Sequence, residues 1–116
     1  MGTSLSIAGQ HSHGFIEFEF DAIYEFIRIQ VSLSHSNKDL FMDIRVSVGN
    51  EKQVDPEIPS SNPKCGNLIG PRKNQNVNFN CPGSGLAGKY VIVQKEVAPD
   101  TDKVIRMACI QFVIKQ

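Results

Sequence analysis

Three cysteines, Cys65, Cys81 and Cys109, carry most of the covalent chemistry open to this sequence. Cys65 stands in Asn62-Pro63-Lys64-Cys65-Gly66, and Cys81 lies between Asn78-Phe79-Asn80 and Pro82-Gly83. The segment between them is dominated by Asn, Lys, Gly and Pro, so it buries little apolar surface of its own. A cross-link would offset that weakness, and the chain-entropy model gives about 3 kcal/mol for a loop of this size. Both residues sit at expected loop edges, where side chains can meet. A Cys65–Cys81 disulfide is therefore expected, with Cα atoms within about 4.4–6.8 Å. Two unpaired buried thiols are the alternative. Zinc is a weaker reading, because neither cysteine has another Cys or a His at short ligand spacing. Cys109 lies in an apolar run, which raises a thiol's pKa and makes it inert. It is expected free and buried. A disulfide persists only in an oxidising compartment, so the pairing implies an extracellular or cell-surface parent.

Other reactive side chains are poorly arranged for catalysis. The serines cluster in loops, and no Gly-x-Ser-x-Gly elbow occurs. Asp100 and Asp102, with Asp55 or Glu57, could bind calcium, but no loop has a dense ligand pattern. No enzymatic activity is expected. Arg72-Lys73-Asn74-Gln75-Asn76 lies within the cysteine loop, where Arg72 could contact a glycan or an acidic partner; a solvated loop is the plainer alternative. His35 and Asn37 read as turn residues.

The chain has 116 residues, enough for one domain with one modest core. Lys plus Arg equals Asp plus Glu at 12 each. That balance argues against a nucleic-acid partner, which needs a basic excess or stripe. No apolar run is long enough to span a membrane as a helix. The opening Met-Gly-Thr-Ser-Leu-Ser lacks the features of a signal peptide, so a secreted parent would imply an excised piece or a chain that has lost its leader. There is no Asn-x-Ser/Thr sequon.

Strands must position these groups. Residues 1–14 are small and polar and are expected as a flexible arm. Strict alternation predicts strands over Ile16–Phe20, Phe26–Ser34 and Met42–Val48, with Asp21-Ala22 breaking the first from the second. Residues 51–76 carry four prolines and are expected as loop. Val77, Phe79 and Cys81 make a short strand, and Tyr90–Val97 and Val104–Ile114 are strands with apolar residues on both faces, the first of them central. No segment shows helical periodicity. The reading is an all-β chain, an antiparallel β-sandwich or jelly roll over 15–116. Its expected core is Phe18, Phe20, Ile27, Ile29, Val31, Ile44, Val46, Val48, Phe79, Val91, Val93, Ile110 and Phe112.

Several blocks, in order, resemble the discoidin-like galactose-binding sandwiches, and within them the F-type lectins (fucolectins). They are Ile16–Ile29, Ile44-Arg45-Val46-Ser47-Val48-Gly49, Asn62–Gly66 with Cys81, Gly88-Lys89-Tyr90-Val91-Ile92-Val93, and Met107-Ala108-Cys109-Ile110-Gln111-Phe112-Val113. The resemblance implies a galactose-binding-domain-like jelly roll that recognises fucose- or galactose-containing glycans. The family's sugar motif is a His, then Arg-x-Asp, then Arg or Lys. His11 and Lys38 have the family's separation. Lys38 replaces the Arg, Leu40 sits where Asp is expected, Asp39 comes one place early, and Arg45 falls at the last position but on a strand. The implied ligand-binding set is thus His11, Lys38, Asp39 and Arg45, with Arg72 from the cysteine loop. Such a site needs fixed donors for hydroxyls, and an Arg fork supplies two at once. Calcium is implied by the resemblance alone, and Ile110 stands where the family has a coordinating Glu. These departures favour a second expectation: a discoidin-like module of a cell-surface protein that contacts protein instead of sugar.

Overall fold

The computed structural model describes residues 2–13, 15–32, 42–53, 60–71, 76–95 and 104–115. They form seven antiparallel strands: β1 (Gly2–His13), β2 (Phe15–Ser32), β3 (Met42–Gly49), β4 (Lys64–Pro71), β5 (Asn76–Asn80), β6 (Leu86–Lys95) and β7 (Val104–Lys115). No helix occurs among the described residues. The fold is an antiparallel β-sandwich, as the alternation predicts.

β2 belongs to both layers. Its first half pairs with β6 from Phe15↔Gln94 to Glu19↔Tyr90. Its second half pairs with β7, from Glu25↔Lys115 to Ser32↔Cys109, and on its other edge with β5. One layer is therefore the start of β2, β6, β3 and β4. The other is β1, β7, the end of β2 and β5. The crossing is a large bulge. Phe20, Asp21, Ala22 and Ile23 stand opposite Lys89 alone. Asp21-Ala22 thus bends the strand without ending it, because β6 keeps pairing beyond, at Tyr24↔Gly88.

The core lies between the layers. Ile16, Phe18, Ile44, Val46, Val48, Val91 and Val93 face Phe26, Ile29, Val31, Phe79, Ile110, Phe112 and Ile114. Phe112 is its hub: the rings of Phe18 and Phe20 meet it at 5.2 Å between centroids, in edge contacts, and Phe26 does so at 6.1 Å. Each such contact is worth roughly 0.5–1.5 kcal/mol beyond area burial. Two expected core residues differ. Phe20 is only partly buried, since it lies in the bulge. Ile27 is half-buried and Phe26 takes the core position instead. Phe26 pairs with Ile114 and Arg28 with Val113, so Ile27 is an extra residue that shifts the alternation by one.

Two further expectations change. Residues 2–13, expected as an arm, form β1 along one edge of β7. Their apolar positions, Leu5 and Ile7, pair with Phe112 and Ile110, a signal diluted by Ser, Thr and Gly. Residues 51–76, expected as loop, contain β4. As an edge strand, β4 tolerates Pro71 at its last position, and its pairing with β3 is interrupted twice. Gly66, at φ 101°, supplies a backbone turn that other residues rarely adopt.

Residues 50–53 and 60–63 lie against the outer face of the first layer. Ser60 N–H donates to Gln94 Oε1 at 3.0 Å, and Gln53 N–H to Glu17 Oε2 at 2.7 Å. Asn62 clasps Glu51, donating from Nδ2 to its carbonyl at 2.9 Å and accepting from its N–H at 3.2 Å. Beneath this cover Ser47, Ile92 and Gln94 are buried. That explains why β6 is apolar on both faces.

Candidate functional site

The disulfide Cys65–Cys81 is present, with Cα atoms 4.1 Å apart, slightly closer than expected. It ties β4, an edge of one layer, to the residue that follows β5 in the other. β2 joins the layers along one side and the disulfide along another. Cys109 is free but half-buried, not buried as expected. It alternates with Ile110, so its side chain leaves the core face, and its Sγ lies 3.9 Å from the Ile110 carbonyl oxygen.

One end of the sandwich gathers several strand ends. His13↔Val104 closes the β1–β7 ladder, and Phe15↔Gln94 opens the β2–β6 ladder two residues later in the chain. Ser32↔Asn76 in one layer and Met42↔Pro71 in the other form a second pair of anchoring rungs. The segments 33–41 and 72–75 both run between these two rungs. Lys38, Asp39 and Arg72 belong to those segments and lie outside the described residues.

His11 is on β1 and pairs with Arg106 of β7. By register its position alternates in phase with Leu5 and Ile7 along β1. Arg45 pairs with Gln94 and Asn67, on the outer face of the first layer, and is half-buried. His11 and Arg45 therefore stand on strands of different layers, β1 and β3. Sequence reasoning singled out His11 but missed its partner Arg106, because pairing β1 with β7 requires knowing that β1 is a strand. Ile110, where the family has a carboxylate, is fully buried in the core. Among the described residues no three His, Cys, Asp or Glu side chains converge as a metal site.

The opposite end holds the bulge. Tyr24 Oη–H donates to Asp21 Oδ1 at 2.7 Å. That bond, and then the Asp21 charge, raise the Tyr24 pKa above its ordinary 10.0. Ile23 beside them is 61% exposed, the one exposed large hydrophobic among the described residues.

No family model matches the chain, and no curated protein matches it. Among solved structures it is similar to an F-lectin (fucolectin) from striped bass (Morone saxatilis) serum, with a TM-score of 0.72 at 13% identity. The match covers 93% of this chain and 36% of the fucolectin chain. The fold is lectin-like. This chain spans about a third of that lectin's length, by the same 36% coverage.

Proposed function

We propose that the chain is a carbohydrate-recognition module of an extracellular or cell-surface protein, and that it binds a fucose- or galactose-containing glycan. The observation that carries this reading is topological. In a lectin-like sandwich, the strand end bearing His11 and the rungs anchoring the segments of Lys38, Asp39 and Arg72 lie at one end. His11, Lys38 and Arg72 would donate to sugar hydroxyls, Asp39 would accept, and Arg45 would approach from the outer face. Lys38 in place of an Arg gives a point charge instead of a fork, so the affinity should be modest. The disulfide and the serum origin of the similar lectin support the extracellular placement.

A glycan array tests this. Binding to fucosylated or galactosylated glycans, lost in His11→Ala and Arg72→Ala, is the expected result. Persistence in EDTA would mean that no calcium is needed, and loss in EDTA that the family's ion is retained. A silent array at high protein concentration would defeat the reading. It would leave a protein-interaction or structural module of a larger cell-surface protein, which the exposed Ile23 on the bulge favours.

A further inference from the structure

A sheet edge is a property of the backbone, and the edges of this sandwich differ in how they are guarded. β4 begins at Lys64 and ends at Pro71, and its pairing with β3 is interrupted twice. β5 is five residues long and has β4 beside it, since a Cβ on Gly66 would meet Phe79 at 3.6 Å. The disulfide locks that side. The first half of β2, which pairs only with β6 among the described residues, carries Glu17 and Glu19. Short strands, Lys, Pro, interruptions and charges all blunt an edge against pairing with another chain.

β1 has none of these. It runs for 12 residues, Gly2–His13, with no Pro, Asp, Glu, Lys or Arg. Its ladder with β7 keeps one register from Gly2↔Lys115 to His13↔Val104. β7 occupies one edge of β1, and among the described residues no strand pairs with the other. In an antiparallel ladder alternate residues turn their N–H and C=O groups to opposite edges, so β1 presents a row of both away from β7. Such a row is filled by another extended strand.

A second copy of β1 suits it. Two identical strands related by a two-fold axis run antiparallel, each fills the open edge of the other, and the assembly closes at two. Charges on such a strand would meet their own kind across the pair. β1 carries no Asp, Glu, Lys or Arg, and the chain has no net charge to hold two copies apart. His11 and His13 stand at one end of β1, so antiparallel pairing keeps the histidines of the two copies at opposite ends.

We propose that β1 is a dimerisation strand: it pairs antiparallel with β1 of a second copy and joins two layers into one continuous sheet. The two-fold reverses strand direction, so the His13 ends of the two copies point opposite ways. On the carbohydrate reading the dimer is bivalent, with candidate ligand ends that can bridge separate glycan-bearing surfaces. The pairing itself does not rest on that reading.

The test uses the intact chain without sugar: sedimentation velocity over a concentration series, with backbone hydrogen exchange at its two extremes. Wild type should pass from monomer to dimer, and the amides of β1 should gain protection as it does. Ser6→Lys with Ala8→Lys, and separately Ser6→Glu with Ala8→Glu, place like charges mid-strand and should each weaken the dimer by at least about tenfold. Mixing the two variants should restore a dimer, because opposite charges then face each other, and restoration shows that both fold. Where a charge variant fails to fold, the wild-type exchange decides alone. A monomer at every concentration would overturn the inference. So would a dimer whose β1 amides exchange as fast as the monomer's, or one equally stable in both charge variants. None of these outcomes touches the carbohydrate reading, and a silent glycan array leaves the dimer standing.

Discussion

Asn62 does several jobs with one side chain. Its amide exchanges two hydrogen bonds with the Glu51 backbone, and its own N–H donates to Ser60 Oγ at 3.2 Å. It thereby ties Glu51 to Ser60 and Asn62 beside the outer face of the first layer. Asn62→Ala should cost about 1–3 kcal/mol, because the Glu51 groups lose their partner. Urea unfolding would measure it, and a loss under about 0.5 kcal/mol would mean the clasp is dispensable. Tyr24 offers a titration. The bond to Asp21 and the Asp21 charge favour the protonated phenol in the folded state. That contribution is fully present below the unfolded value of 10.0 and is lost as pH rises through the raised folded value. Asp21→Asn should bring the tyrosinate absorbance midpoint of Tyr24 back down. A midpoint that does not move would refute the assignment.

At the scale of elements, the disulfide and the bulge set the shape. Cys65→Ser with Cys81→Ser should remove about 3 kcal/mol, the loop-closure value for this separation. In the wild type under non-reducing conditions, alkylation followed by mass spectrometry should find one thiol, Cys109. Gly88 sits where β6 passes β3 closely, and a Cβ there would meet the Gly49 N and Cα at 2.6 Å. Gly88→Ala should therefore cost about 1–3 kcal/mol by overpacking. Ile23→Ser on the exposed bulge should stay within about 0.5 kcal/mol of wild type. Differential scanning calorimetry would separate these two. What the sequence revealed of these elements follows their physics. Period-two alternation marked β3 and both halves of β2, and apolar residues on both faces marked β6 and β7. It failed at Ile27, where one extra residue reverses the phase. It failed at β1 and β4, edge strands whose small or proline-rich residues satisfy pairing without a strong apolar signal. The disulfide was legible because loop composition and the position of Cys109 left one sensible pair. The candidate site residues were legible only as motif fragments, since the strand each residue occupies depends on register. His11 and Arg45 illustrate this: the resemblance groups them, and the register puts them on strands of different layers.

For the molecule as a whole, polarity of the sandwich matters most. Gly2 and Lys115 are register partners on β1 and β7, at the far end of that ladder from His13↔Val104. Attachment at either point therefore leaves the candidate ligand end free. Directly opposed Cα atoms in an antiparallel ladder lie about 4.5–5.5 Å apart, so a linker of a few residues can join them without strain. The Pro82–Gly85 turn lies at the same end as Gly2 and Lys115, with Gly83 at φ 63° and Pro82, Gly83 and Ser84 exposed. Opening the chain between Gly83 and Ser84 breaks one turn hydrogen bond, Gly85 N–H to the Pro82 carbonyl oxygen at 3.2 Å. Every strand and the whole core remain. A circular permutant joined through Gly2 and Lys115 and opened at Gly83–Ser84 should fold with the same circular dichroism and the same Cys65–Cys81 bond. It should also keep whatever glycan binding the parent shows. Peptide mapping of the non-reduced permutant checks the bond. Recovery of a scrambled disulfide or an unfolded spectrum would show that the ladder between β1 and β7 does not hold these two residues side by side.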